Sequence, residues 1–462
     1  MKLVLLSGGS GKRLWPLSND TRSKQFLKVL EGQEAEKQSM VQRVWGQLRQ
    51  VGLVNSSIIA TSKMQRDMIH SQIGTDLPLI IEPERRDTFP AIALAASYLY
   101  SEQNTTGDEV VVVLPVDPYV EDSFFNRVKE LEKALLSSNA DLALMGVKPT
   151  YPSSKYGYIV PSEKVENDQH FKVDRFTEKP SEGKAQDLID MNALWNTGVF
   201  AFKLSYLLGI LRDKNLPLSY EELSRDYKKL PKISFDYEVV EKANHIVALP
   251  YDGYWKDLGT WNTLTEEMVT TQIGKGVLSE DSVNTHLVNE LDIPVTVIGT
   301  KDIVVAASPD GILVADKASS PKIKELISDF NQPPMYEERI WGWSRVLDYA
   351  KYDDGSEMVT KRICILAGKN STYHYHNLRD EVWTIVKGEG ELALDDNIHR
   401  VKAGDIIHLP AGKKHGIFAI SELEFIEVQT GLGISDEDFT RLYYSWDEVL
   451  NHFKEARSKV IL

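Results

Sequence analysis

Two clusters of residues in this chain have the types and spacing to do chemistry. The first is Ser7-Gly8-Gly9-Ser10-Gly11-Lys12-Arg13-Leu14-Trp15-Pro16-Leu17, which follows the apolar run Leu3-Val4-Leu5-Leu6 and leads to Ser23-Lys24-Gln25-Phe26. Glycines at 8, 9 and 11 let backbone N–H groups approach and turn around an anion, and Lys12, Arg13 and Lys24 bring positive charge to it. Such a loop suits a nucleotide phosphate. The second cluster is a run of imidazoles and a carboxylate: Gly368, five residues, His374-Tyr375-His376, four residues, Glu381, six residues, Gly388, followed by Gly404, Pro410, Gly412 and His415. His374 and His376 are two apart on a predicted strand, so their rings share one face. With Glu381 and His415 they form a donor set able to hold a divalent transition metal such as Zn, Co, Mn or Fe with an open position.

The glycine loop is neither of the two commonest phosphate motifs. In a P-loop, Gly-Lys is followed by Ser or Thr, whereas Arg13 stands here, and Leu6 rather than Gly lies five positions before Gly11. The dinucleotide fingerprint fails at Leu14, which occupies the place of its third glycine. The loop instead resembles that of the sugar-1-phosphate nucleotidyltransferases, whose signature is Gly-x-Gly-x-Arg-Leu, then Pro-Leu, then a later Lys. Trp15 before Pro16, and Lys24-Gln25-Phe26, are similar to the mannose-1-phosphate guanylyltransferase branch, with Ser23 where that branch usually has Pro. The resemblance implies that Arg13 and Lys24 touch the triphosphate, and that Gly8, Gly9, Gly11 and Lys12 line the nucleotide site.

Nucleotidyl transfer needs an attacking phosphate oxygen, a metal across the phosphates and cations on the departing diphosphate. It needs no general base, because a phosphate monoester has its second pKa near 6 and is mostly dianionic at neutral pH. Two carboxylates are natural Mg²⁺ ligands. Asp117 is one candidate, since it follows the strand-like run Val110-Val111-Val112-Val113-Leu114, and open α/β sheets bind ligands beyond the carboxyl ends of their strands. Asp257 is the other, in Trp255-Lys256-Asp257-Leu258-Gly259-Thr260, which matches the family's Trp-x-Asp-x-Gly-Ser/Thr segment. Pro118 stands where the guanylyltransferases usually have His. Tyr156-Gly157-Tyr158, Glu178-Lys179-Pro180 and Trp195-Asn196-Thr197-Gly198 resemble the segments around the hexose phosphate. Gly157 and Gly198 permit close backbone approach, Glu178 and Asn196 suit sugar hydroxyls, and Lys179 suits the 1-phosphate. Glu82 and Arg86 resemble base-side residues.

These residues need elements to position them. Residues 1–265 alternate short β-branched runs with longer mixed segments, which predicts an α/β, Rossmann-like domain with a mostly parallel sheet covered by helices. Pro90 to Ala96 reads as a helix entered through Pro in its first turn. Residues 266–334 form a small β connector ending in the linker Asn331-Gln332-Pro333-Pro334. Residues 335–462, rich in short strands and Gly turns, read as a small antiparallel barrel with a C-terminal tail. Its histidine spacing resembles the cupins, with Ala419 replacing the second motif's final Asn.

A formal net charge of −15 over 462 residues argues against general affinity for nucleic acid or anionic lipid. The single cysteine, Cys364, excludes an internal disulfide or a Cys-based metal cluster. No apolar run is long enough for a membrane span. The expectation is a cytoplasmic enzyme using GTP and mannose 1-phosphate with Mg²⁺, assembled as a homo-oligomer, with a dimer favoured because the connector takes part in dimerisation in similar proteins. Another nucleotide or sugar 1-phosphate stays open as an alternative. Arg339-Ile340-Trp341-Gly342, Arg379-Asp380-Glu381-Val382-Trp383 and Glu427-Val428-Gln429-Thr430-Gly431 resemble the bifunctional enzymes whose second activity is mannose-6-phosphate isomerase. Thr372 replaces that module's Gln, and Asn377-Leu378 lengthen the gap to Arg379. A structural or sugar-sensing cupin is the competing reading.

Overall fold

A computed structural model describes residues 1–9, 12–32, 36–162, 170–327, 333–434 and 438–460. Ser10 and Gly11 of the glycine loop, and Asn331 and Gln332 of the expected linker, lie outside these described residues. The chain divides into two compact units, one of residues 1–14 and 23–271 and the other of residues 15–22 and 272–462.

The first unit is a nine-stranded sheet. Its strands are β1 (Lys2–Ser7), β2 (Ser57–Ser62), β3 (Leu79–Glu82), β4 (Val110–Pro115), β5 (Leu142–Val147), β6 (Tyr158–Pro161), β7 (Phe171–Thr177), β8 (Leu194–Lys203) and β9 (Ile246–Tyr251). They lie in the order β3-β2-β1-β4-β8-β5-β9-β7-β6. Successive side chains point to opposite faces, and the two cores divide accordingly. Leu3, Leu5, Val112 and Leu114 pack under the helices Met40–Gln50 and Ser123–Ser138, while Val4, Val111 and Val113 pack under Thr88–Ser101 and Leu204–Asp213. Pro90 falls in the first turn of Thr88–Ser101, where its missing N–H costs nothing.

The fold is the expected α/β domain with a mostly parallel sheet, and two strands run against the rest. β3, β2, β1 and β4 are mutually parallel and β5 pairs parallel with β9, but β8 runs antiparallel between β4 and β5, and β7 is antiparallel to β6 and β9. A strand buried on both faces reads as a continuous apolar run in either orientation, so its direction is not in its periodicity. The β8–β5 ladder shifts register between Asn196 and Phe200, around Gly198 at φ 76°. Such a bulge re-aims side chains locally.

In the second unit, Gln272–Ile273, His286–Asn289 and Ile303–Ser308 pair in parallel, and Gly311–Asp316 adds antiparallel to the last. Two antiparallel sheets follow, of six and five strands. Ile363, Trp383 and Phe425 of one share a core with Leu392, Val401 and Ile417 of the other. The C-terminal helix Trp446–Val460 places Trp446, Val449 and Phe453 against Tyr373.

Candidate functional site

The glycine loop leaves β1 at its carboxyl end. Gly8 lies against Glu82, the last residue of β3, so closely that a Cβ on Gly8 would stand 2.9 Å from Glu82 Oε1. Lys12 to Leu14 turn as one 3₁₀ segment that buries Leu14 and exposes Arg13. A second such turn, Lys24–Phe26, buries Gln25 and Phe26 and leaves the Lys24 side chain facing a cleft of about 240 Å³. Asp117, two residues beyond β4, and Asp257, at the end of the ribbon strand Trp255–Asp257 paired with Pro118–Val120, converge on it. Lys24 Nζ donates to Asp117 Oδ2 at 2.8 Å and to Asp257 Oδ1 at 3.0 Å. Burial opposes the charge on Lys24, but the two carboxylates outweigh it and raise its pKa. Burial would likewise raise Asp257, and Lys24, with Arg13 and Lys155 adding to it, lowers it instead. Two carboxylates that converge on one cation are a donor set of hard oxygens, the kind that Mg²⁺ takes.

The same cleft is lined by Gly157, Glu178, Asn196 and Gly198. Gly157 abuts Glu178 Oε2, which a Cβ would meet at 2.5 Å. Lys179 Nζ pairs with Glu178 Oε1 at 2.5 Å. Asn196, re-aimed by the bulge, accepts the Gly198 N–H at 3.1 Å and donates to Asp236 Oδ1 at 2.8 Å. Burial, and then the charge of Glu178, push Asp236 up to about 7. Tyr156 packs between Trp195 and Trp255, with ring centroids 4.8 and 5.6 Å away, and forms an aromatic wall beside this polar set.

Glu82 is buried and accepts the Tyr227 hydroxyl at 2.9 Å. Burial pushes its carboxyl up to about 7 against that hydrogen bond. Arg86 Nε donates to the Leu230 carbonyl at 3.0 Å, and its Nη1 pairs with Glu84.

In the second unit, His374 and His415 are register partners on adjacent strands, and His376 follows one residue after the strand Tyr373–Tyr375. Each ring donates Nδ1–H to a backbone carbonyl: His374 to Thr372 at 2.7 Å, His376 to Asp438 at 2.6 Å and His415 to Lys413 at 2.9 Å. That fixes the tautomer and turns all three Nε2 lone pairs inward. One nitrogen from each ring lies within 4.8 Å of the others. His415 Nε2 is buried without a hydrogen-bond partner and faces Glu381 Oε2 at 3.4 Å. Acceptors turned on one another in this way fit a cation between them. Part of that charge comes from Arg379, which donates from Nη2 to His376 Nε2 at 3.0 Å and from Nε to Glu381 Oε1 at 3.1 Å. Burial, reinforced by the neighbouring rings, takes His374 well below its ordinary value, and burial takes His376 down to about 4, which favours the neutral imidazole in both. Beneath them, Trp383 Nε1 and Gln429 Nε2 each bridge Glu381 to Glu427. Burial, and then Glu381, push Glu427 up to about 8.

The structure thus brings Lys24, Asp117, Asp257, Gly157, Glu178, Asn196 and Gly198 to one cleft and His374, His376, Glu381 and His415 to another place. Sequence reasoning missed Asp236 and Asp438. Neither belongs to a recognisable spacing; each becomes legible only when a distant strand is laid beside it. Glu427 and Gln429 stood in a quoted segment, and their alternation along one strand face is the signal that could have placed them.

Residues 2–272 match the nucleotidyl transferase family and residues 361–429 the cupin domain. The xanthan biosynthesis protein XanB of Xanthomonas campestris pv. campestris is 30% identical over 95% of this chain and 97% of its own. The alginate biosynthesis protein AlgA of Pseudomonas fluorescens is 30% identical over 95% of each. Mannose-1-phosphate guanylyltransferase 2 of Escherichia coli O157:H7 is 28% identical over 95% of this chain and 96% of its own. A crystal structure from Thermus thermophilus, described as a mannose-1-phosphate geranyltransferase, is 27% identical and superposes with a TM-score of 0.59 over 71% of this chain and 98% of its own. The chain belongs to the nucleotidyl transferase family, in the group that carries a cupin domain and includes mannose-1-phosphate guanylyltransferases.

Proposed function

We propose that this nucleotidyl transferase makes GDP-mannose and diphosphate from GTP and α-D-mannose 1-phosphate, with residues 1–265 as its catalytic domain. The observation that carries this reading is the convergence of Lys24, Asp117 and Asp257 at the head of a glycine loop, in the same cleft as Gly157, Glu178 and Asn196. A phosphate oxygen of the sugar attacks the α-phosphorus of the nucleotide, and the bond from that phosphorus to the diphosphate breaks. Gly8, Gly9 and Gly11 let the loop wrap the triphosphate, and Lys12, Arg13 and Lys24 neutralise it, Lys24 within reach of the reacting phosphates. Asp117 and Asp257 would hold Mg²⁺, which supplies charge neutralisation across the phosphates. Glu178 and Asn196 orient sugar hydroxyls, and Lys179 faces the 1-phosphate. Glu82, whose carboxyl holds its proton to about pH 7, and Arg86 belong to the base side.

The supporting experiment is diphosphate release from GTP, which should need both mannose 1-phosphate and Mg²⁺; absence of release with every sugar phosphate would refute the reading. A charge of −15, one cysteine and, among the described residues, no helix long and apolar enough to cross a membrane support a cytoplasmic enzyme without nucleic-acid or membrane partners. Exposed Ile312 and Val314 on an edge strand of the connector support a dimer through that region.

The inward-facing imidazoles favour a second reading for the cupin. His374, His376, Glu381 and His415 would hold a divalent transition metal, and the module would interconvert mannose 6-phosphate and fructose 6-phosphate. A coupled assay with added Co²⁺, Zn²⁺ or Mn²⁺ tests it. A metal-loaded but inactive protein would leave the cupin a structural or sugar-sensing module.

A further inference from the structure

Two lysines and four carboxylates line the cleft of the first unit: Lys24 and Lys155, with Asp117, Glu178, Asp236 and Asp257. A sugar 1-phosphate enters as a dianion, so a wall of this balance repels it unless a cation stands ready for it. Lys24 is committed to Asp117 and Asp257. Lys179 pairs with Glu178 and is not among the residues that line the cleft. Lys155 does line it, is exposed, and forms no ion pair among the described residues.

The backbone that carries Lys155 is fixed on both sides. Tyr158, fully buried, accepts the Ser153 N–H at 2.8 Å and donates its hydroxyl to the Ser153 carbonyl at 3.0 Å. The Lys155 N–H donates to Ser153 Oγ at 3.2 Å. On the other side, the Tyr156 carbonyl accepts the Lys179 N–H at 3.2 Å and the Gly157 carbonyl accepts the Asn196 N–H at 2.8 Å. These bonds tie the loop to the segments assigned to the sugar, whereas the glycine loop is held elsewhere, its Gly9 carbonyl accepting Gln65 Nε2 at 3.3 Å. The charge of Lys155 nevertheless reaches Asp257, which it helps to keep ionised. An ammonium on the sugar wall, within Coulombic reach of a carboxylate assigned to Mg²⁺, stands where the attacking phosphate has to lie, between the hexose and the nucleotide. We propose that Lys155 receives the phosphate of the incoming sugar 1-phosphate and so sets the affinity for that substrate. The inference rests on the reading that this cleft carries out nucleotidyl transfer to a sugar 1-phosphate. A flexible stem on a fixed backbone suits the task, since the ammonium can follow the dianion with three donors.

The test is steady-state kinetics of Lys155→Gln and Lys155→Arg in the full chain, in both directions of the reaction, beside thermal midpoints. The contact neutralises the same dianion before and during attack, so its loss raises KM far more than it lowers kcat. Lys155→Gln should raise KM for mannose 1-phosphate by about tenfold, the scale of one hydrogen bond between charged partners at an open site, with an unchanged thermal midpoint. KM for GTP should stay within about twofold, because that substrate is held by other cations. Lys155→Arg, which keeps the charge, should stay within about threefold of wild type in every constant. Lys184→Gln, exposed on the helix Glu182–Asp190 and outside the cleft, should change neither KM. In reverse, with GDP-mannose and diphosphate, Lys155→Gln should hold KM for diphosphate within about twofold. A rise confined to GTP or diphosphate would place Lys155 on the nucleotide and overturn the inference. Wild-type protein is assayed first: if it is inactive with every nucleotide and sugar phosphate, the assigned reaction and this inference fall together, whereas an active wild type matched by Lys155→Gln overturns the inference alone.

Discussion

The cleft of the first unit and the histidine cluster of the second both set acceptors around an internal cation, and they differ in how firmly. Lys24 bridges Asp117 and Asp257 at the wall of an open cleft, with the two carboxylates 26 and 34% exposed. Arg379 sits between His376 and Glu381 in a buried place where each imidazole is locked by a backbone carbonyl. The first arrangement leaves its charges within reach of whatever enters the cleft. The second is fixed in tautomer and orientation before any ligand arrives, as a metal ligand set must be.

The largest effects should come from breaking the open site. Lys24→Ala and Arg13→Ala are each expected to lower kcat for guanylyl transfer by about 10²–10³, the cost of removing one preorganised donor to developing charge. Asp117→Asn and Asp257→Asn should in addition raise the Mg²⁺ concentration needed for half-maximal rate; steady-state kinetics against Mg²⁺ reads both, and a near wild-type rate in either variant removes that aspartate from the site. None of these changes should alter the transition metal retained by the purified protein, measured by elemental analysis.

The converse substitution sharpens the contrast. His376→Ala should abolish metal retention, which wild-type protein should show at close to one ion per chain, while transfer stays within about twofold because its charges belong to the other unit and independent sites tend not to couple. Loss of transfer in that variant would contradict the independence of the two sites.

A smaller effect separates the base side from both. Glu82 has its pKa raised to about 7 in the fold from an ordinary 4.5, so the folded chain binds more protons than the unfolded one between those values. The stability it contributes is fully present below about pH 4.5 and is lost as pH rises to about 7, by at most about 3 kcal/mol. Glu82→Gln should therefore flatten the fall in thermal midpoint from pH 5 to pH 8 and leave the protein more stable than wild type at pH 8. A steeper fall in the variant would contradict this.

How much of this was readable in the residues depended on what fixes each feature. The glycine loop, the strand Val110–Pro115 with Asp117 beyond it, and the spacing of His374, His376, Glu381 and His415 are local, and each has a chemical reason to be where it is. The antiparallel insertion of Leu194–Lys203 between two other strands was hidden because an all-buried strand carries no sign of its direction. The ties of Arg86 to Leu230 and Glu84 in the fold have no signal in the local spacing. Asp236 and Asp438 were invisible because they enter their sites through contacts 40 and 62 residues away in sequence, with Asn196 and His376 respectively.

The central claim is that the open cleft transfers guanylyl to mannose 1-phosphate. The most direct measurement is a grid of GTP, ATP, UTP and dTTP against mannose 1-phosphate and glucose 1-phosphate, with kcat/KM read for every pair in the presence of Mg²⁺. The account predicts that GTP with mannose 1-phosphate exceeds every other pair by at least about tenfold, the scale of discrimination that hydrogen bonds in a polar site provide. Faster turnover of UTP or dTTP with glucose 1-phosphate would contradict it.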